Sequence, residues 1–150
     1  MKPRTLGGLL VAVQFGTLAA LIILTVPKLM QTALPASAWL ALVLSGFVGL
    51  WALAANRPGN FNIHPTPRAD GKLVAHGPYR WIRHPMYTAV SLAGLACALT
   101  LGSAPAWLLW LVLSLVLLVK ALLEERWMAA LHPAYAQYQA RTRRFIPFLL

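Results

Sequence analysis

The chain has 150 residues, of which 59% are hydrophobic and 11% charged, and it carries a formal net charge of +10. These proportions exclude a water-soluble globular domain and describe a polypeptide that lies mostly in lipid. The basic residues flank long apolar runs instead of forming a patch or stripe, a distribution that cytoplasmic membrane faces select, so no nucleic-acid partner is expected. The expected architecture is an all-α integral membrane protein, a single domain over residues 1–150.

Four apolar segments follow in order, at about residues 6–26, 36–55, 86–101 and 104–123. Each is near the ~20 residues that cross a ~30 Å hydrocarbon layer, and the third is the shortest. The first exceeds the ~7–15 apolar residues of a cleavable signal and lacks a small-residue cleavage site before Pro27, so it is expected to stay in the mature protein. Pro27 and Pro35 bracket the first connection, and Gly102-Ser103-Ala104-Pro105 turns the chain between the last two segments. Twelve of the thirteen basic residues fall at the N-terminus, in the loop 56–84, or at and beyond the end of the fourth segment, against Lys28 alone on the other side. The positive-inside rule then places both termini and the long loop in the cytoplasm. That loop, rich in Pro, Gly, Asn and His, exceeds the ~2–8 residues of a simple helical connection, which points to function. The tail 124–150 continues the fourth helix, breaks near His132-Pro133, and ends in an interfacial helix with Tyr135, Tyr138 and a basic terminus from Arg141 to Arg144. Cys97, the single cysteine, lies in an apolar run and is expected to pack there.

The chemistry concentrates on one face. Two of the three acidic residues are adjacent, Glu124 and Glu125, and topology does not require acidic groups at a membrane border. Lys120 shares a helix face with Glu124, while Glu125 points about 100° away. Two readings stay open: a surface offering both charges to ligands, or a Lys120–Glu124 ion pair with Glu125 exposed or paired to Arg80 or Arg83. Gly77-Pro78-Tyr79-Arg80 and Arg83-His84-Pro85-Met86-Tyr87 bring cations, aromatic rings and a titratable imidazole to the threshold of the third segment. Pro85 suits a first helical turn, whose free N–H groups and positive dipole end would face an anion such as a carboxylate. A plain interfacial anchor is the alternative. His64, His76, His84 and His132 have no tight spacing with Cys or carboxylates, so no metal site is expected.

Taken in order, Lys72-Leu73-Val74, Gly77-Pro78-Tyr79, Arg83-His84-Pro85-Met86-Tyr87, Glu124-Glu125, Tyr135, Tyr138 and Phe145-Ile146-Pro147 resemble the isoprenylcysteine carboxyl methyltransferase and phospholipid methyltransferase superfamily. The resemblance covers about residues 57–147; the first two segments share only its hydropathy. It implies a membrane enzyme that uses S-adenosylmethionine, enclosed by loop and tail on the cytoplasmic side, to methylate a lipophilic or membrane-associated acceptor: a carboxylate, an amine or a thiol. It further implies that Leu73 and Val74 hold the cofactor through backbone and apolar contacts, that Tyr79 lines the pocket, that His84, Pro85, Met86 and Tyr87 form its wall, and that Glu124 receives the ammonium, with His84 or the helix start receiving the carboxylate. Lys120 stands where the carboxyl methyltransferases have an Arg associated with substrate, and is assigned to acceptor orientation. It keeps the charge but not the bidentate fork. The rival readings are a membrane reductase using a nicotinamide cofactor and a non-enzymatic four-helix transporter or scaffold.

Overall fold

The structure, a computed structural model, describes residues 3–56, 73–131 and 133–147. Along them run α1 (Pro3–Leu29), α2 (Ala36–Ala55), a 3-10 turn (Gly77–Arg80), α3 (Pro85–Leu101), α4 (Ala104–Leu131) and α5 (Tyr135–Arg141). The all-α expectation holds. Helices α1, α2 and α4 are long and apolar enough to cross a membrane, and α3 is a shorter apolar helix of 17 residues. The second segment has the expected bounds, whereas the fourth runs past residue 123 to Leu131. Charge ends the apolar run there but not the helix, because Glu, Arg, Met and Ala are all good helix formers.

Small residues let the helices approach closely, as they do wherever packing, and not water, must drive association. Ala38 and Ala41 of α2 meet Ala96 of α3, and Leu21, Ala98, Ala106, Leu113 and Leu117 form the buried core shared by α1, α3 and α4. A Cβ added to Gly94 would come within 2.7 Å of Leu113 Cδ2. Polar bonds tie the same interfaces: Ser45 Oγ donates to Ala89 O at 2.8 Å, Trp110 Nε1 donates to Ser91 O at 3.0 Å, and Ser91 and Ser114 hydroxyls lie 3.2 Å apart. The large apolar side chains instead face outward, Ile23 and Leu50 among them. Gly102, at φ 60°, ends α3 in the left-handed conformation and turns the chain into α4. As a result the end of α2, the start of α3 and the later turns of α4 meet at one end of the bundle.

Candidate functional site

The return from the loop onto the bundle depends on Gly77. Its φ is +59°, and a Cβ there would sit 2.7 Å from Ala55 Cβ, so only glycine brings the chain this close to the end of α2. Trp81 then packs on Trp51, their ring centroids 5.4 Å apart. From here the chain runs parallel to the tail. Arg143 N–H donates to Trp81 O at 2.8 Å, Arg83 N–H to Arg143 O at 2.7 Å, and His84 N–H to Arg144 O at 3.1 Å. Thr88 Oγ1 donates to Phe145 O at 2.9 Å and Tyr138 Oη to Tyr79 O at 2.8 Å. Residues 79–84 and the tail residues 138–145 are therefore one cover over the helix ends.

Glu125 anchors that cover. Its carboxylate, almost wholly buried, accepts from Arg83 Nε at 2.8 Å, from His84 Nε2 at 3.2 Å, and from Arg144 Nε and Nη2 at 3.1 and 2.9 Å. Arg83 also reaches the tail directly, donating from Nη1 to Thr142 O at 2.6 Å. Of the open sequence readings for Glu125, pairing to Arg83 is the one present, and exposure is not. Glu124, about 100° further back on the helix, faces a different set of groups. It accepts from the Tyr87 hydroxyl, and its Oε2 lies 3.4 Å from His84 Nδ1. Both nitrogens of His84 thus face carboxylates. Burial alone would lower its pKa, but Glu124 and Glu125 outweigh it and hold the imidazolium above the usual histidine range.

Between cover and helices lies a cavity of about 160 Å³, lined by Asn56, Leu73, Val74, Tyr79, Arg83, His84, Glu124, Met128, Tyr135 and Tyr138. A second cavity of about 550 Å³ shares Leu73 and Tyr138 with it and adds Arg80, Trp81, Gln137 and Arg141. Burial pushes the Tyr79 hydroxyl up to about 12, against a hydrogen bond from Asn56, and raises Tyr135 and Tyr138 as well. At neutral pH these phenols are neutral rings with O–H donors, not bases. The site therefore combines one carboxylate, several aromatic surfaces and apolar side chains at a helix end. Among the described residues, no three His, Cys, Asp or Glu side chains are placed to hold a metal ion.

A family model for phospholipid methyltransferases matches residues 36–135. The chain belongs to this family. The family and these apolar helices together mark it as a membrane protein. The match runs from α2 to the first residue of α5 and leaves α1 and the strip 142–145 outside. The family member is also 34% identical over 84 residues to a cobalt-zinc-cadmium resistance protein, CzcN, of Cupriavidus metallidurans, covering 55% of this chain. It spans only 38% of the length of that relative. No solved structure matches it.

Of the residues singled out in the sequence, Leu73, Val74, Tyr79, His84 and Glu124 come together on one cavity wall. Tyr87 reaches the cavity through Glu124. Pro85 and Met86 occupy the first turn of α3 and are not among the lining residues, Pro85 being fully buried in packing. Lys120 lies beside the cavity, not on its wall. Its side chain is 1% exposed, Nζ donates to Gln14 Oε1 of α1 at 2.6 Å, and it sits 5.0 Å from the centroid of the Tyr87 ring. Asn56 and Met128 on the cavity wall, Arg144 on Glu125 and Gln14 on Lys120 are contacts that sequence reasoning missed. Met128 was within reach, one turn beyond Glu124 on its face, and Gln14 stood out as the one amide in an apolar helix. His64 and His132 lie outside the described residues.

Proposed function

We propose that this protein transfers a methyl group from S-adenosylmethionine to a lipophilic, membrane-associated acceptor at the cytoplasmic membrane face. The observation that carries the reading is the convergence of Leu73, Val74, Tyr79 and His84, from the 73–84 stretch, with Glu124 of α4 on one cavity. The donor set suits the cofactor. Glu124 offers a charge-assisted acceptor for its ammonium, Tyr79, Tyr135 and Tyr138 offer faces for adenine, and Leu73, Val74 and Met128 offer apolar contact. The two adjoining cavities together reach the ~300–1,000 Å³ that such ligands occupy. For the carboxylate the available cations are Arg83 and, in the second cavity, Arg80 and Arg141. Of the two partners expected from the sequence, His84 or the helix start, His84 has both nitrogens turned to Glu124 and Glu125, which favours the arginines or the helix start for this role.

When bound, S-adenosylmethionine would supply a sulfonium methyl group whose carbon an acceptor lone pair attacks, the C–S bond breaking as the new bond forms and the sulfur leaving as a neutral thioether. Little acid–base help is needed, so the protein's work is alignment and exclusion of water, the effects measured as effective molarity. Glu124, held by Tyr87 and His84, fixes one end of the cofactor. The cover formed by residues 79–84 and the 142–145 strip lies over the cavity and would limit the access of water. Lys120 orients the acceptor from the bundle side, and the asymmetry of basic residues supports a cytoplasmic site, with both termini on that side.

Titration of detergent-solubilised protein with S-adenosylmethionine and with a reduced nicotinamide tests this reading. The first should bind, and Glu124→Gln should weaken it by about 1.5–3 kcal/mol, roughly ten- to a hundredfold. Nicotinamide binding without S-adenosylmethionine binding would favour the reductase, and binding of neither the transporter or scaffold. Unchanged affinity in a folded Glu124→Gln protein would remove Glu124 from the cofactor site.

A further inference from the structure

We infer that Gln14 of α1 is a positioning residue for methyl transfer, holding the Lys120 ammonium against the Tyr87 ring on the bundle side of the site. The inference rests on the proposed function for the role of Lys120. Its geometry stands alone.

A lysine at the membrane end of a helix ordinarily runs its apolar stem along the surface and releases its ammonium to water. Lys120 is one turn from Glu124, close enough to the bundle end to do so, yet it turns inward. Both it and Gln14 are almost wholly buried, at 1% and 6% exposure, although each lies in a helix apolar enough to cross a membrane. Polar side chains at such depth are expensive and mark function or specific pairing. The 2.6 Å bond from Nζ to Gln14 Oε1 fixes the ammonium on one side, and the Tyr87 ring, 5.0 Å away, offers it a π face. The Tyr87 hydroxyl in turn donates to Glu124 on the cavity wall. Gln14, Lys120, Tyr87 and Glu124 thus form a continuous polar path from α1 through α4 and α3 to the cavity. Lysine has four rotatable side-chain bonds, and the amide of Gln14, with the Tyr87 ring, helps to reduce them to one placement. Because the family match begins at residue 36, α1 adds to the site something that the matched region does not contain.

The test compares wild type with Gln14→Leu, Gln14→Glu, Lys120→Met and the Gln14→Leu/Lys120→Met pair. Readouts are S-adenosylmethionine affinity, melting in detergent, labelled methyl transfer into a native lipid extract, and mass-spectrometric labelling of Lys120 by a membrane-permeant amine reagent. Expected for Gln14→Leu is a tenfold or greater fall in the rate at saturating extract, with cofactor affinity within about twofold and Lys120 newly labelled. Gln14→Glu, which keeps an acceptor oxygen, should regain most of the rate. The paired variant should melt like wild type yet transfer no faster than either single variant, the non-additivity of two residues acting as a unit. Wild-type rates in folded Gln14→Leu, additive losses in the pair, or Lys120 equally protected in Gln14→Leu and wild type would overturn the inference while leaving the proposed function intact. Absence of S-adenosylmethionine binding in wild type would overturn both.

Discussion

Replacing Glu125 with Gln keeps the shape of the side chain and removes the charge on which three cationic side chains converge. Removing one member of a buried ion pair typically destabilises by about 3–5 kcal/mol, because the partners stay buried and uncompensated. Here Arg83 is 10% exposed but Arg144 is 26% exposed, so water recovers part of the second interaction and the lower end, about 3 kcal/mol, is expected. The loss is local, since Glu125 ties the later turns of α4 to the tail and to the start of α3, away from the apolar core of the bundle. It should raise the population with a detached tail roughly a hundredfold, a factor of ten for each ~1.4 kcal/mol. Hydrogen exchange reads this at the amides of Arg83, His84 and Arg143, which hold the loop to the tail. Their protection should fall about a hundredfold while amides within α1 and α2 stay protected, and Arg126→Gln, at an exposed neighbouring position, should leave all of them unchanged. Unaltered exchange at these three amides in Glu125→Gln would refute the anchoring role.

Two further outcomes are expected. The folded pKa of His84 is raised by its two carboxylates, so its stabilising contribution is fully present below the unfolded value of about 6.5 and is lost as pH rises through the folded value; melting recorded across that window should show the decline, and His84→Asn should flatten it. Gly94→Ala should destabilise the bundle by about 1–3 kcal/mol, because its Cβ would press on Leu113 and Trp110, whereas Gly49→Ala, facing only Ala89 at 3.4 Å, should melt like wild type.

Hydropathy alone located all four apolar helices, because lipid imposes both the length of each run and the polarity of its flanks. It located α2 to the residue and missed the last turns of α4, where charged helix formers carry on after the apolar run ends. The separation of the two glutamates was also legible in principle: adjacent residues on a helix face different neighbours, and Glu124 lines the cavity while Glu125 binds the cover. Which neighbours they would face was not. Periodicity fixes the face of a helix but not the helix opposite, so Lys120 gave no sign that its partner would be Gln14, 106 positions earlier. The pairing of residues 81–84 with 143–144 was hidden for the same reason, since it follows from a fold-back and not from any local pattern.

The 17 residues of α3 amount to about 26 Å of helix, some 4 Å less than a ~30 Å hydrocarbon layer. Its companions are longer and no residue of α3 is exposed, so protein surrounds the helix and its polar entrance can sit below the boundary that they define. The His84 end of α3 and the cavity behind it then lie deeper than the ends of the neighbouring helices. On the proposed function, a lipophilic acceptor would then have less distance to rise before its polar end meets the site.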